Sequence, residues 1–202
     1  MNEYSAQKKL DMMISRLQNR PKLLIHACCA PCSSYVMEYL SSFFDLTMFF
    51  YNPNMDTGEE YRKRAAELVR LPEEMHLQGA VSVVTEEYDF REFERISAGL
   101  EEEPERGKRC LRCYELRLRK TAEYMSRCGG FDYFATTLTL SPLKNAETIN
   151  RIGLLIEKET GAKYLETDFK KKGGFLRSIE LSGEYGLYRQ NYCGCKYSKR
   201  GN

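Results

Sequence analysis

Apolar and polar positions switch between two periods along the chain. A compact apolar run over 22–27, carrying Leu23, Leu24 and Ile25, predicts a short buried strand. Helical spacing follows Pro31 over 32–40, and "DLTMFFY" over 45–51 predicts a second buried strand closed by "NPN". Further helical spacing covers 59–69 and 90–96, and 80–86 has strand character. The clearest helix spans 109–127, where Leu111, Tyr114, Leu118, Ala122 and Met125 form one apolar stripe and Gly129 and Gly130 supply a stop. A strand over 131–136, a helix over 145–160 and a last strand over 162–165 complete the alternation. This order predicts an α/β fold with a parallel sheet covered by helices on both faces. Ligands of such sheets gather at the carboxyl ends of the strands.

Composition bounds what that fold can be. A chain of 202 residues with 42% hydrophobic residues can bury one substantial core. Residues 22–202 are expected to form one catalytic α/β domain, with 1–21 as an added helical extension. No run approaches the roughly 20 apolar residues that span a bilayer, and the first 20 residues lack a signal-peptide core, so a cytoplasmic protein without membrane contact is expected. A net charge of +2 does not by itself mark a nucleic-acid binder. Its distribution is uneven, with Glu101 to Glu105 reading as a solvated acidic loop and Lys170 to Lys172 and Lys196 to Arg200 as basic runs.

Cysteine changes the picture. The chain has eight, and a reducing compartment turns that number toward metal or redox chemistry and away from structural disulfides. "HACCAPC" places Cys28, Cys29 and Cys32 directly after the first predicted strand. Adjacent Cys28 and Cys29 cannot easily face one point unless the turn is distorted. "CLRC" puts Cys110 and Cys113 on one helical face, and "CGC" puts Cys193 and Cys195 either side of a permissive Gly194. Cys128 reads as a buried small hydrophobe outside the site, and His26 as a hydrogen-bonded core residue. Seven thiols exceed the four ligands of one zinc ion; zinc stays possible, while the surplus favours an iron–sulfur center with redox work.

The blocks "HACCAPC", "YNPNMDTGEEYRKR", "EPERGKRCLRCYELRL", "FDYFATTLTLSPLKN" and "TDFKKKGGFLRSIELSGEYGLYRQNYCGC" run in order from Lys22 to Tyr197. In them the chain resembles the cobalamin-independent epoxyqueuosine reductases of the QueH type. The resemblance implies removal of the epoxide oxygen of epoxyqueuosine at the anticodon wobble position of tRNA, the final step of queuosine biosynthesis. It also implies a 4Fe-4S cluster with an additional iron, no cobalamin, an electron donor it does not identify, and a fold similar to the adenine nucleotide α-hydrolase (HUP-like) group. "ACCAPC" stands where that group carries a phosphate loop, which speaks against ATP chemistry. Two other readings of the residues are a zinc-stabilized tRNA-binding module and an ATP-dependent tRNA-thiolating enzyme.

Deoxygenation of an epoxide to an alkene needs two electrons, a Lewis acid for the departing oxygen and a proton source. Cys28, Cys29, Cys110 and Cys113 are the expected ligands of the cluster and its neighboring iron. Cys32, Cys193 and Cys195 are candidates for a second metal or a redox pair. Asp132 and Asp168 are candidate oxygen ligands, with a strand-edge hydrogen bond and a turn cap as their ordinary alternatives. Tyr185, Tyr188, Arg189 and Tyr192 offer stacking faces and a cation, and Lys170, Lys171, Lys172 and Arg177 offer phosphate contacts, with a solvated basic surface as the alternative.

Overall fold

The computed structural model describes residues 5–199. Helix α1 (Ala6–Ile14) precedes strand β1 (Lys22–His26), followed by α2 (Ala30–Leu40), β2 (Asp45–Phe50), α3 (Gly58–Glu74), β3 (Val81–Thr85), α4 (Phe90–Ser97), α5 (Lys108–Cys128), β4 (Tyr133–Thr136), α6 (Ala146–Thr160) and α7 (Gly174–Glu184). The four strands form one parallel sheet in the order β3-β2-β1-β4. Register pairs Ile25 with Met48 on one side and with Ala135 on the other, so β1 is an interior strand, buried from Leu23 to His26. Its Leu23 and Ile25 enter one apolar cluster with α2, β2 and α3, and its Leu24 enters a second with α5 and α6. Alternation of side chains across the central strand therefore builds the cores of both faces.

Several boundaries move. Helix α3 continues through Pro72 to Glu74, because Leu71 and Pro72 are buried and their packing outweighs one missing amide. The expected strand over 162–165 is a single parallel bridge between Phe134 and Tyr164. Leu111 is 37% exposed, and α5 instead buries Cys113, Tyr114, Arg117, Leu118, Thr121 and Ala122. Cys128, expected in the core, is exposed at the end of that helix. The acidic loop is largely exposed, as expected, with Glu103 accepting a hydrogen bond from the Lys108 amide. Of the expected N-terminal extension, Met1 to Tyr4 lie outside the described residues, and α1 buries Leu10 in the same cluster as β1. Arg200 of the last basic run also lies outside them.

Helix α7, unassigned by periodicity, packs on α2. The sheet order reverses between β1 and β4, and at their carboxyl ends the chain turns into α2 and into a 3-10 turn over Thr137–Leu140. That is the crevice where open parallel sheets bind ligands.

Candidate active site

Helix α2 begins at this crevice with Cys29 as its N-cap, so Cys28, Cys29 and Cys32 surround its first turn. Their sulfurs lie within 4.8 Å of one another, with Cys28 Sγ 3.8 Å from Cys29 Sγ. Adjacent Cys28 and Cys29 meet because Cys29 is fully extended and the chain changes direction sharply into the helix. Thr137 donates to Cys28 Sγ at 3.3 Å and accepts from the Cys28 amide at 3.1 Å. Interactions with Cys29 and Cys32 hold the Cys28 thiol well below its ordinary range, against burial and with help from the Lys144 and Arg117 charges. The contact with Cys28, aided by burial, pushes Cys29 up to about 11, and contacts with Cys28 and Cys29 push Cys32 well above its ordinary value. The lowering falls on one sulfur of the triad, which sits beside a helix N-terminus that favors negative charge.

A second thiol group forms where α5 begins. Cys110 and Cys113, on the first turns of that helix, line one cavity together with Cys193 and Cys195. Arg106, in a left-handed conformation at φ 74°, turns its amide onto Cys110 Sγ at 3.2 Å. Cys193 is brought down to about 5, first by its interaction with Cys195, with Ser198 and Lys144 also lowering it against burial. The partner contact pushes Cys195 up, while burial raises Cys110 and takes Cys113 to about 11.

The C-terminal arm reaches this place through contacts with the segment after β2. The Asp56 amide donates to Gly194 O at 2.9 Å, Tyr192 donates to Asp56 at 3.1 Å, and Lys199 pairs with Asp56. Arg64 is 2% exposed, pairs with Glu60, and donates to Cys193 O at 3.4 Å. Gly194 has φ +103°, and a Cβ there would lie 3.1 Å from Met55 and 3.3 Å from Arg64. The "NPNMDTGEEYRKR" block therefore anchors the "CGC" block.

The larger of the two thiol-lined cavities, of about 230 Å³, is lined by Cys28, Cys29, Cys32 and Cys193. It shares Glu105, Arg117, Leu143, Lys144 and Cys193 with the four-thiol cavity, so the two adjoin. Arg117 is fixed from behind: its Nε donates to His26 Nε2 at 3.1 Å and its Nη2 donates to Asn52 Oδ1. His26 Nε2 also lies 3.1 Å from Tyr51 O, and Nδ1 shares a hydrogen bond with the Thr136 hydroxyl at 2.9 Å. Burial first, and then Arg117, lowers the imidazole to about 3. Both ring nitrogens are engaged, as expected of a core histidine, and neither is available to a metal.

The remaining candidates divide. Arg189 and Tyr192 line the larger cavity. Asp132 lies at the opposite end of the sheet, accepting from the Lys22 amide at 2.8 Å. Asp168 pairs with Lys170 at 2.6 Å, and neither lines the cavities. Lys172 pairs with Asp11, and Arg177 with Glu38 and Glu180. Tyr188 donates to Glu60 beneath Lys63, and the Tyr185 carbonyl accepts from Arg70. Lys171 is exposed outside both cavities. Sequence reading missed Arg117, Lys144, Phe175 and Gln190, all on the cavity wall. Arg117 carried a readable signal, standing four residues after Cys113 on the same helical face.

Residues 23–201 match the family described as epoxyqueuosine reductase QueH. The chain belongs to the epoxyqueuosine reductase QueH family. It is 46% identical over 183 residues to the epoxyqueuosine reductase QueH of Streptococcus pyogenes serotype M1, covering 90% of this chain and 71% of that protein. The same-named protein of Staphylococcus epidermidis is 40% identical over 195 residues, covering 95% and 82%. That of Thermotoga maritima is 37% identical over 182 residues, covering 87% and 89%. The QueH match spans both thiol groups and the arm that joins them. Among the described residues no helix is long and apolar enough to cross a membrane.

Proposed function

We propose that this chain reduces epoxyqueuosine in tRNA to queuosine, with the reaction held between its two thiol groups. The observation that carries this reading is the convergence of seven cysteines from three distant segments on two adjoining cavities at the carboxyl ends of the sheet.

The donor set suits iron and sulfur. Four thiols, Cys110, Cys113, Cys193 and Cys195, line one cavity, and four cysteine thiolates are the ligand set of a 4Fe-4S cluster. The triad Cys28, Cys29 and Cys32 fits a further iron that keeps a position open to oxygen. This grouping moves Cys28 and Cys29 away from Cys110 and Cys113, because sulfur proximity follows the helix starts. When bound, the cluster would supply electrons singly and the further iron a Lewis acid for the oxygen.

The chain's own residues do the rest. The larger cavity admits the modified side chain toward Cys28 and Cys32, with Phe175 and Tyr192 on its wall as apolar and stacking faces. Arg117, locked by His26 and Asn52, holds a fixed positive charge between the thiol groups. Arg189 lies at the same cavity, and of the outer basic run the exposed Lys171 is the cation left for a backbone phosphate, since Lys170, Lys172 and Arg177 pair with Asp168, Asp11 and Glu38. The cofactor grouping, these contacts and a cytoplasmic setting belong to this proposal.

Anaerobic incubation of iron- and sulfide-loaded protein with a chemical reductant and epoxyqueuosine-containing tRNA tests the reading. Nucleoside analysis should show queuosine appearing as epoxyqueuosine disappears. Unchanged epoxyqueuosine in a fully loaded sample would refute it.

A further inference from the structure

We propose that Lys144 is the catalytic acid that protonates the oxygen leaving the substrate. The inference rests on the reading of the site as an epoxyqueuosine reductase center. In that reaction both C–O bonds of the epoxide break, a C=C bond forms, and the oxygen departs as water. Two electrons come from the external reductant that the reductase activity consumes, and two protons must reach the oxygen.

The cavity walls narrow the source of the first proton. Arg64, Arg117 and Arg189 line the larger cavity, but a guanidinium does not give up its proton. Tyr192 already donates to Asp56, Ser178 to Phe175 O at 2.7 Å, and Ser198 to Cys195 O at 2.8 Å. Glu105 is exposed to solvent at the rim. Lys144 lines both cavities, and its ammonium makes no hydrogen bond or ion pair among the described residues. A primary ammonium carries three donors and can transfer a proton.

Its placement is built into the backbone. The Lys144 amide donates to Ser141 O at 3.1 Å. The next residue, Asn145, caps α6 by accepting from the Thr148 amide at 2.8 Å. Lys144 therefore projects from a fixed turn at a helix start. Its side chain borders both the cavity of the Cys28, Cys29 and Cys32 triad and the cavity of the four other thiols. Proton transfer from Nζ as a C–O bond breaks leaves a neutral amine. Solvent at the open mouth, where Leu143 is 47% exposed, restores the proton.

The test uses loaded holoenzyme carrying Lys144→Ala or Lys144→Arg, with iron, sulfide and tRNA affinity measured beside single-turnover deoxygenation. Both variants should keep metal and affinity yet lose about 100-fold or more in rate, within the range of general acid catalysis. Methylamine should restore rate to Lys144→Ala and leave wild type unchanged. A Lys144→Arg variant as fast as wild type would show that charge suffices and overturn the proposal. So would a Lys144→Ala deficit that amines do not relieve, or one that tracks lost iron. A loaded wild type that leaves epoxyqueuosine unconverted would overturn the underlying reading and this inference with it.

Discussion

Arg117 and His26 show how a single buried pair sets the charge of the site. Arg117 is 4% exposed and stays paired because Asn52 and His26 accept from it. Burial first, and the Arg117 charge second, disfavor the protonated form of its neighbor, with His26 lowered to about 3 in the fold against 6.5 in an unfolded chain. Between those values the unfolded chain holds one more proton, so the contribution of His26 is complete above pH 6.5 and is lost as pH falls toward 3. The slope is at most about 1.4 kcal/mol per pH unit. Denaturant midpoints of metal-free protein across that window should fall more steeply for wild type than for His26→Gln. Parallel curves would show that His26 does not carry this dependence.

At the scale of elements, hydrophobic periodicity located all four strands and the helices between them, because β1 and β2 read as continuous apolar runs. It did not locate α7, whose sequence "GFLRSIELSGE" leaves Leu176 and Ile179 exposed and buries Gly174, Ser178 and Ser182 beside Leu181. Helix packing through small residues leaves a weak apolar stripe. The thiol-bearing segments were legible, but their grouping was not. Which cysteines meet depends on where α2 and α5 begin relative to the C-terminal arm, a long-range fact with no local pattern. Gly194 is the point where that arm turns, and its positive φ and close neighbors predict that Gly194→Ala displaces Cys193 and Cys195. We expect a destabilization of about 1–3 kcal/mol together with reduced iron and sulfide. A variant with wild-type melting and metal content would contradict that role for the turn.

Over the whole molecule, the parallel sheet sets the thiol-lined cavities at one end and leaves Asp132 at the other. Two helix starts, on α2 and α5, present cysteines toward the crevice, and the arm after α7 closes it. Fold class and cavity location follow from strand–helix alternation and the placement of "HACCAPC". The outer basic residues were legible as charge, but pairing of Lys170, Lys172 and Arg177 with carboxylates was not, since those partners lie on the chain's own loops and helices. The central claim is that the seven thiols act as two groups with separate tasks. Iron and sulfide analysis of anaerobically loaded Cys113→Ser and Cys32→Ser tests it most directly. Cys113→Ser should lose most sulfide and iron, whereas Cys32→Ser should keep the sulfide and lose only the remaining iron. Sulfide lost equally from both variants, or retained in Cys113→Ser, would contradict the division.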